Sequence, residues 1–382
     1  MWRGADATRV TAADMRFVAR REDHCRDFAA AWDAETAHAA ATPFQGGRWV
    51  EAWYSTIGPS VGDPLRVAIH DAHTGALAAL LPLVLRNIAG CRVVEFADGG
   101  VSDYNAPVLG PAGPDDTKSA LLFWSALRAA LPDVDFVRFK RMPLAIEGRA
   151  NPLALLPATR ASSANSNVVT VDGDWSDFLA TLKGSLRRQV ERNWRAFSAH
   201  DGAVFRRVTD HSEAAAVLGT LERQQSARLR RRGVSHVLDQ PQVAAFYRKL
   251  VADGLADDTV VLTALTHREE VVAALLGIAR GDGYVMLRIS IGAPEWSSCS
   301  PGRLIILQTM KMLRGIGYRH FDFSIGEYEY KRRFGAASRP LVELTIALSP
   351  RGWPLLAFER AKLLVRRNRA LYGLVHRLLA SA

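Results

Sequence analysis

The chain has 382 residues, 48% of them hydrophobic and 23% charged, too long for one ordinary core and long enough to build two. That balance, without glutamine, serine or acidic tracts, excludes a long disordered chain. A formal charge of +10, with twelve Lys and Arg against five Asp and Glu between Lys183 and Arg232, directs attention to anionic partners: phosphate-bearing small molecules, nucleic acid or an acidic membrane surface.

Residues 1–23 hold no apolar core of signal-peptide type, and the longest apolar run, residues 76–85, is too short to span a bilayer, so a cytoplasmic protein is expected. Helical spacing predicts helices over 26–41 and 47–57, the second with Trp49 and Trp53 on one face. Strands are predicted over 65–70, 77–85 and 92–96, where Val, Leu and Ile run between turn residues. An irregular stretch around Asp103, Tyr104 and Asn105 follows, then a helix over 115–131, a strand over 134–139 and a loop-rich bridge over 143–166.

The second half opens with a basic helical region over 175–200, whose apolar positions Phe178, Leu182, Leu186, Val190, Trp194 and Phe197 recur every three or four residues. Helices are predicted at 213–231 and 240–252, and strands at 260–266, 271–279 and 284–291. After a loop come a helix over 301–315, a strand over 319–325, a short helix over 327–334, a strand over 341–348 and a basic helix over 358–379. In that last helix Leu364, Leu371, Val375 and Leu378 form an apolar stripe among arginines, which suits packing on the protein or peripheral contact with the inner face of a membrane. The order strand, strand, irregular loop, helix, strand occurs twice, about 190 residues apart, and suggests a duplicated α/β unit.

Three cysteines, Cys25, Cys91 and Cys299, lie far apart and lack zinc-ligand or disulfide spacing; no metal is expected. Alternation over 319–325 sets His320, Asp322 and Ser324 on one face of a strand and Phe321, Phe323 and Ile325 on the other. Glu327, Tyr330, Lys331 and Phe334 share one face of the short helix by their spacing, which allows either a charged solvated face with a Glu327–Lys331 pair or a chemical cluster.

The stretch from Ser300-Pro301-Gly302-Arg303-Leu304 to Phe321-Asp322-Phe323-Ser324-Ile325-Gly326-Glu327-Tyr328-Glu329-Tyr330-Lys331-Arg332-Arg333-Phe334-Gly335 resembles the GNAT acyltransferase domain of CelD-like proteins, a group linked by name to cellulose biosynthesis. Thr42-Pro43-Phe44-Gln45 with Trp49 and Trp53, Ser102-Asp103-Tyr104-Asn105-Ala106-Pro107, and the basic segment from Lys183 to Arg195 are similar to the same group, in the same order. The resemblance implies an α/β (α+β) fold of tandem GNAT-like domains, each a mixed central sheet flanked by helices. It places an N-terminal GNAT-like domain at 1–165, a GNAT acyltransferase domain at 166–350 and a basic amphipathic helix at 351–382.

It further implies transfer of an acyl group, acetyl above all, from acyl-CoA to an amine or hydroxyl of a small or polysaccharide-related acceptor, by direct attack on the thioester and without a metal. The donor's pyrophosphate is expected over the helix start at Ser300, Pro301, Gly302 and Arg303, where backbone amides and the helix dipole favour an anion. This loop departs from the family's usual glycine-rich signature. Lys331 stands four residues before Gly335, a place where many GNAT enzymes carry a tyrosine, with Tyr330 beside it; an ammonium there suits a developing oxyanion. Glu327 is a candidate proton acceptor. Asp322 is read equally as catalytic or as a buried ion-pair partner. Asp103, Tyr104 and Asn105 are expected to touch the acceptor or line the cleft between halves. Two alternatives stay open: a Fem-like transferase using aminoacyl-tRNA, with nucleic acid as a partner only in that case, and a non-catalytic scaffold in polysaccharide synthesis.

Overall fold

A computed structural model describes residues 16–22, 28–171, 173–231 and 240–367. In chain order its first half runs β1 (Phe17–Glu22), α1 (Phe28–Glu35), α2 (Gly47–Thr56), α3 (Gly58–Val61), β2 (Asp63–Asp71), β3 (Leu77–Ile88), β4 (Cys91–Phe96), β5 (Val108–Leu109), α4 (Thr117–Ala130), β6 (Phe136–Pro143), the small pair β7 (Ala145–Ile146) and β8 (Arg149–Ala150), and β9 (Thr159–Thr170). The second half runs α5 (Trp175–Thr181), α6 (Gly184–Ser198), β10 (Ala203–Val208), α7 (His211–Arg230), α8 (Pro241–Gly254), β11 (Val260–His267), β12 (Glu270–Arg280), β13 (Gly283–Ile291), α9 (Pro301–Gly315), β14 (His320–Asp322), α10 (Glu329–Arg333), β15 (Ala337–Ala347) and α11 (Trp353–Arg367).

The fold is a large mixed sheet flanked by helices, in the order β1-β2-β3-β4-β6-β15-β9-β14-β13-β12-β11-β10, with β5 added to β3. The expected repeat of form is visible in it. In each half, antiparallel strands lead into a short parallel pair bridged by a helix: β4 beside β6 through α4, and β13 beside β14 through α9. At the centre two strands change places. β9 leaves the first half to pair with β14, and β15 returns from the second half to pair with β6, the two lying antiparallel to each other. The expected boundary between residues 165 and 166 therefore falls inside β9.

One core also runs across both halves. Trp49 of α2 meets Phe246 of α8 with ring centroids 4.8 Å apart, and Phe44, Trp53 and Tyr104 share an apolar cluster with Tyr247, Val285 and Leu341. The spacing read for α2 holds, with Trp49, Val50 and Trp53 at most 1% exposed. On the other face Phe178, Leu186 and Phe197 pack with Tyr284, Leu304 and Phe323.

Several expected elements differ. The bridge predicted as loop over 143–166 contains the β7–β8 pair and most of β9; that strand's sequence, TRASSANSNVVT, is held by ladders on both sides rather than by an apolar face. The helix predicted over 175–200 is broken, because Leu182 and Lys183 are extended (ψ 147° and 130°) between α5 and α6. β1 and β10 are edge strands that sequence periodicity missed, and α1 is much shorter than 26–41. α11 begins at Trp353, with Leu356 seated on Val93 and Phe136. The side chain of Leu364, and Leu371, Val375 and Leu378, lie outside what is described. No helix among the described residues is long and apolar enough to cross a membrane.

Candidate active site

β13 and β14 run parallel for three residue pairs only, Gly283↔His320, Tyr284↔Phe321 and Val285↔Asp322. β13 continues to Ile291, still paired with β12, while β14 ends at Asp322. The two strands thus part at Asp322, as the ends of parallel strands at a binding crevice do. The strand expected over 319–325 is cut short by Ser324, whose φ of +65° is left-handed. That turn also overturns the expected faces: Phe321 and Phe323 enter one core, whereas Ile325 packs against the other, the one that holds Tyr104 and Leu341.

The turn after β14 is tied from several directions. Asn167 of β9 donates through Nδ2 to the carbonyls of Ser324 (3.0 Å) and Gly326 (3.1 Å). Lys331, 2% exposed, donates through Nζ to the carbonyls of Ser324 (3.2 Å) and Ile325 (2.6 Å), and lies 5.3 Å from the centre of the Tyr328 ring. Burial pulls its ammonium down to about 8, although Asp322, Asp103 and Glu327 favour the charge.

Asp322 receives the Tyr104 hydroxyl at 2.8 Å and the Ser324 amide at 2.6 Å on Oδ1. Burial pushes its carboxyl up to about 7 against the lowering effect of those two hydrogen bonds, with the Asp103 charge adding to the rise. Tyr104 is raised as well, first by burial and then by Asp322. Asp103 accepts a hydrogen bond from the Ser324 hydroxyl, and burial raises its carboxyl too. Residues more than 200 positions apart thus form one buried network of Asp103, Tyr104, Asp322, Ser324 and Lys331.

The first-half loop is shaped by the motifs around it. Asp98 gathers the amides of Gly100 (3.0 Å) and Ser102 (3.3 Å) and the side chains of Asn105 and Arg141. Trp49 Nε1 donates to Ser102 Oγ (3.1 Å), Gln45 Nε2 to the Tyr104 carbonyl (3.4 Å), and Phe44 sets its edge against the Tyr104 ring. Tyr104 and Asp322 face a cleft of about 820 Å³ between the halves, with walls from Pro143, Leu144, Tyr284 and Leu341 and with Arg280 and Arg339 at its polar parts.

Of the other predicted positions, Asn105 is 2% exposed and bonds Asp98 and the Lys140 carbonyl (3.1 Å), holding the loop to β6 away from this cleft. Glu327 is exposed, lies before α10 rather than on it, and accepts from Asn165 (3.3 Å) and Ser338 (3.5 Å); it forms no ion pair with Lys331. Tyr330 stacks on Tyr328 and sets its edge against Phe323, with burial pushing its hydroxyl up to about 12. The single face expected for Glu327, Tyr330, Lys331 and Phe334 is therefore split, because α10 has only five residues.

At α9, Ser300 is left-handed (φ +49°) and precedes Pro301, and Gly302 lies where a methyl group would come within 2.8 Å of the Ile291 side chain. Pro301 has no N–H, and the amides of Ser300 and Arg303 already donate to the carbonyls of Ser297 (3.0 Å) and Ser300 (2.9 Å). Arg303 donates from Nη1 to Gln189 Oε1 at 3.0 Å. Ser324 and Asn167 were not singled out as site residues; Ser324 had a visible sign in the alternation, whereas Asn167 adjoined a segment read as loop.

No curated protein matches the chain. Among solved structures, FemX superposes with a TM-score of 0.63 at 10% identity, covering 89% of this chain and 99% of its own. A conserved protein of unknown function from Bacteroides thetaiotaomicron VPI-5482 gives 0.54 at 12%, covering 84% and 97%. A tandem GNAT protein from the clavulanic acid biosynthesis pathway gives 0.47 at 11%, covering 87% and 99%. The first two share the fold. Residues 184–332, which include the β13–β14 pair, its bridging helix α9, Asp322 and Lys331, match the family model of an acetyltransferase (GNAT) domain.

Proposed function

We propose that the protein is an acyltransferase that moves an acyl group, acetyl above all, from acyl-CoA to the amine or hydroxyl of a small or saccharide-related acceptor lying in the cleft between its halves. The observation that carries this reading is the parting of β13 and β14 directly at Asp322, with Tyr104 of the other half on its carboxylate and both facing the 820 Å³ cleft. A bound thioester supplies an activated acyl carbonyl. Asp322, poised at about 7, takes the proton of the attacking nitrogen or oxygen as the new bond forms. Tyr104 orients that carboxylate. The acyl–sulfur bond breaks, and Asp322 returns the proton to the departing thiolate. Lys331 keeps the 324–326 turn in place and puts a cation beside the developing charge. This assigns the base to Asp322 instead of the exposed Glu327.

Purified protein is to be incubated with acyl-CoAs of graded chain length and panels of amines and sugars, with free thiol read as product. We expect thiol release that depends on both substrates and persists in EDTA. Absence of both a thermal shift and thiol release at millimolar acyl-CoA of every length, together with salt-sensitive binding of aminoacyl-tRNA, would replace the donor by the Fem-type alternative.

A further inference from the structure

Helix α10 divides its side chains between two environments. Lys331 turns inward to the Ser324 and Ile325 carbonyls, while its neighbours Arg332 and Arg333 turn outward to a crevice of about 460 Å³ against the start of α6. Lys183, Ser185 and Gln189 supply the α6 side of that crevice, and Glu329 is its carboxylate.

The charges do not cancel. Glu329 is taken by Arg333, whose Nε and Nη2 lie 3.2 and 2.8 Å from one of its oxygens. Lys183 and Arg332 have no ion pair with a carboxylate among the described residues. Several largely buried cations of this sheet are matched by contrast: Arg138 reaches Glu95 and Glu359, Arg66 reaches Glu22 and Glu35, and Arg288 reaches Glu222. Arg333 first, and Arg332 and Lys183 at longer range, hold the Glu329 carboxyl below its usual range, so three cations face one carboxylate, and a concave site with that surplus and a hydroxyl suits an anion with more than one charge.

Its position relates it to the donor. Gln189 accepts from Arg303, so the crevice adjoins the first turn of α9, the next helix after the strand that parts from β14, with residues 292–300 between them. That turn has the amides of Ser300 and Arg303 already engaged and offers one cation, Arg303, and the crevice adds further positive charge beside it.

We propose that the crevice between α6 and α10 binds the phosphate groups of the donor's nucleotide tail, with Lys183 and Arg332 as the principal phosphate ligands and Arg333 assisting, in place of the turn at Ser300 to Arg303. This rests on the acyl-CoA reading above. Phosphate binding there also steadies the helix that carries Lys331, so the donor's remote end helps to hold the 324–326 turn.

Calorimetry with coenzyme A, 3′-dephospho-coenzyme A and inorganic pyrophosphate tests this on full-length wild type and on Lys183→Ala, Arg332→Ala, their double variant and Ser300→Ala. Each single charge removal is expected to weaken coenzyme A binding about tenfold and the double variant about a hundredfold, with a shallower salt dependence and an unchanged thermal midpoint. Ser300→Ala is expected to bind as wild type does. Wild-type affinity in the double variant overturns the proposal and leaves the acyl-CoA reading standing, whereas no binding of coenzyme A by the wild type overturns both. Pyrophosphate binding as tightly as coenzyme A marks a general anion site, and RNA bound through Lys183 and Arg332 in place of coenzyme A marks a nucleic-acid surface; either result overturns the assignment to the donor.

Discussion

Asp322 and Tyr104 make the sharpest demands on single side chains. With burial holding the carboxyl near 7, the ionised base is scarce below that pH and abundant above it, so kcat/KM should climb as pH passes through about 7. Asp322→Asn should lower turnover by about 100-fold or more and abolish that limb. The Tyr104 hydroxyl lowers the carboxyl by its hydrogen bond; Tyr104→Phe should move the limb to higher pH and cost about tenfold at pH 7. An unmoved profile in both variants would remove the base from Asp322. Lys331 also serves stability, since replacing it leaves two carbonyls without their donor, and Lys331→Met should cost about 2 kcal/mol in urea unfolding. Its folded-state value lies below the usual 10.5, so its titration favours the folded state above that pH and loses this effect as pH falls through about 8. The stability difference between wild type and Lys331→Met should therefore widen from pH 8 to 10.5; a constant difference would contradict the burial of the ammonium.

At the level of elements, the parting strands depend on how β12 supports β13. Gly277 of β12 lies directly under the Tyr284 ring of β13, and a methyl group there would come within 2.2 Å of it. Gly277→Ala should displace Tyr284, which lines the cleft, and destabilise the fold by about 1–3 kcal/mol. Chemical unfolding checks the loss, and a normal midpoint with normal activity would show that the ring moves aside freely. Long apolar strands and one long helix were plain in the sequence: β3, β11, β12 and α9 lie close to where hydrophobic period put them. β9 was not, because its ladders with β14 and β15 come from residues far away in sequence. For the same reason Tyr104 and Asp322 were each singled out as candidates in the sequence, but not as a pair; nothing local records a contact across 218 positions. Glu327 and Tyr330 were misplaced on one helical face because the helix spans too few residues to present one.

For the whole molecule, the exchange of β9 and β15 joins the halves more firmly than a linker would. β15 contacts β6 on one side and β9 on the other, so each half lacks a sheet partner without the other. A cut between residues 165 and 166 should therefore give two fragments that fail to fold separately, while the intact chain should melt in one transition by calorimetry and circular dichroism. Two independent transitions, or a soluble folded 166–382 fragment, would show the halves to be separable after all.

The same exchange bears on synthesis. A ribosome makes β6 about 200 residues before the strand that covers its edge, so the nascent first half must wait with that edge open and with Tyr104 lacking its carboxylate partner. An unpaired edge of this kind invites wrong pairing, and a slow or interrupted translation lengthens the exposure. Chains ended prematurely just before residue 337 would carry Asp103, Tyr104, Asp322, Ser324 and Lys331 and still lack the strand that closes the sheet. Such products should accumulate as aggregates or chaperone clients and not as soluble folded protein.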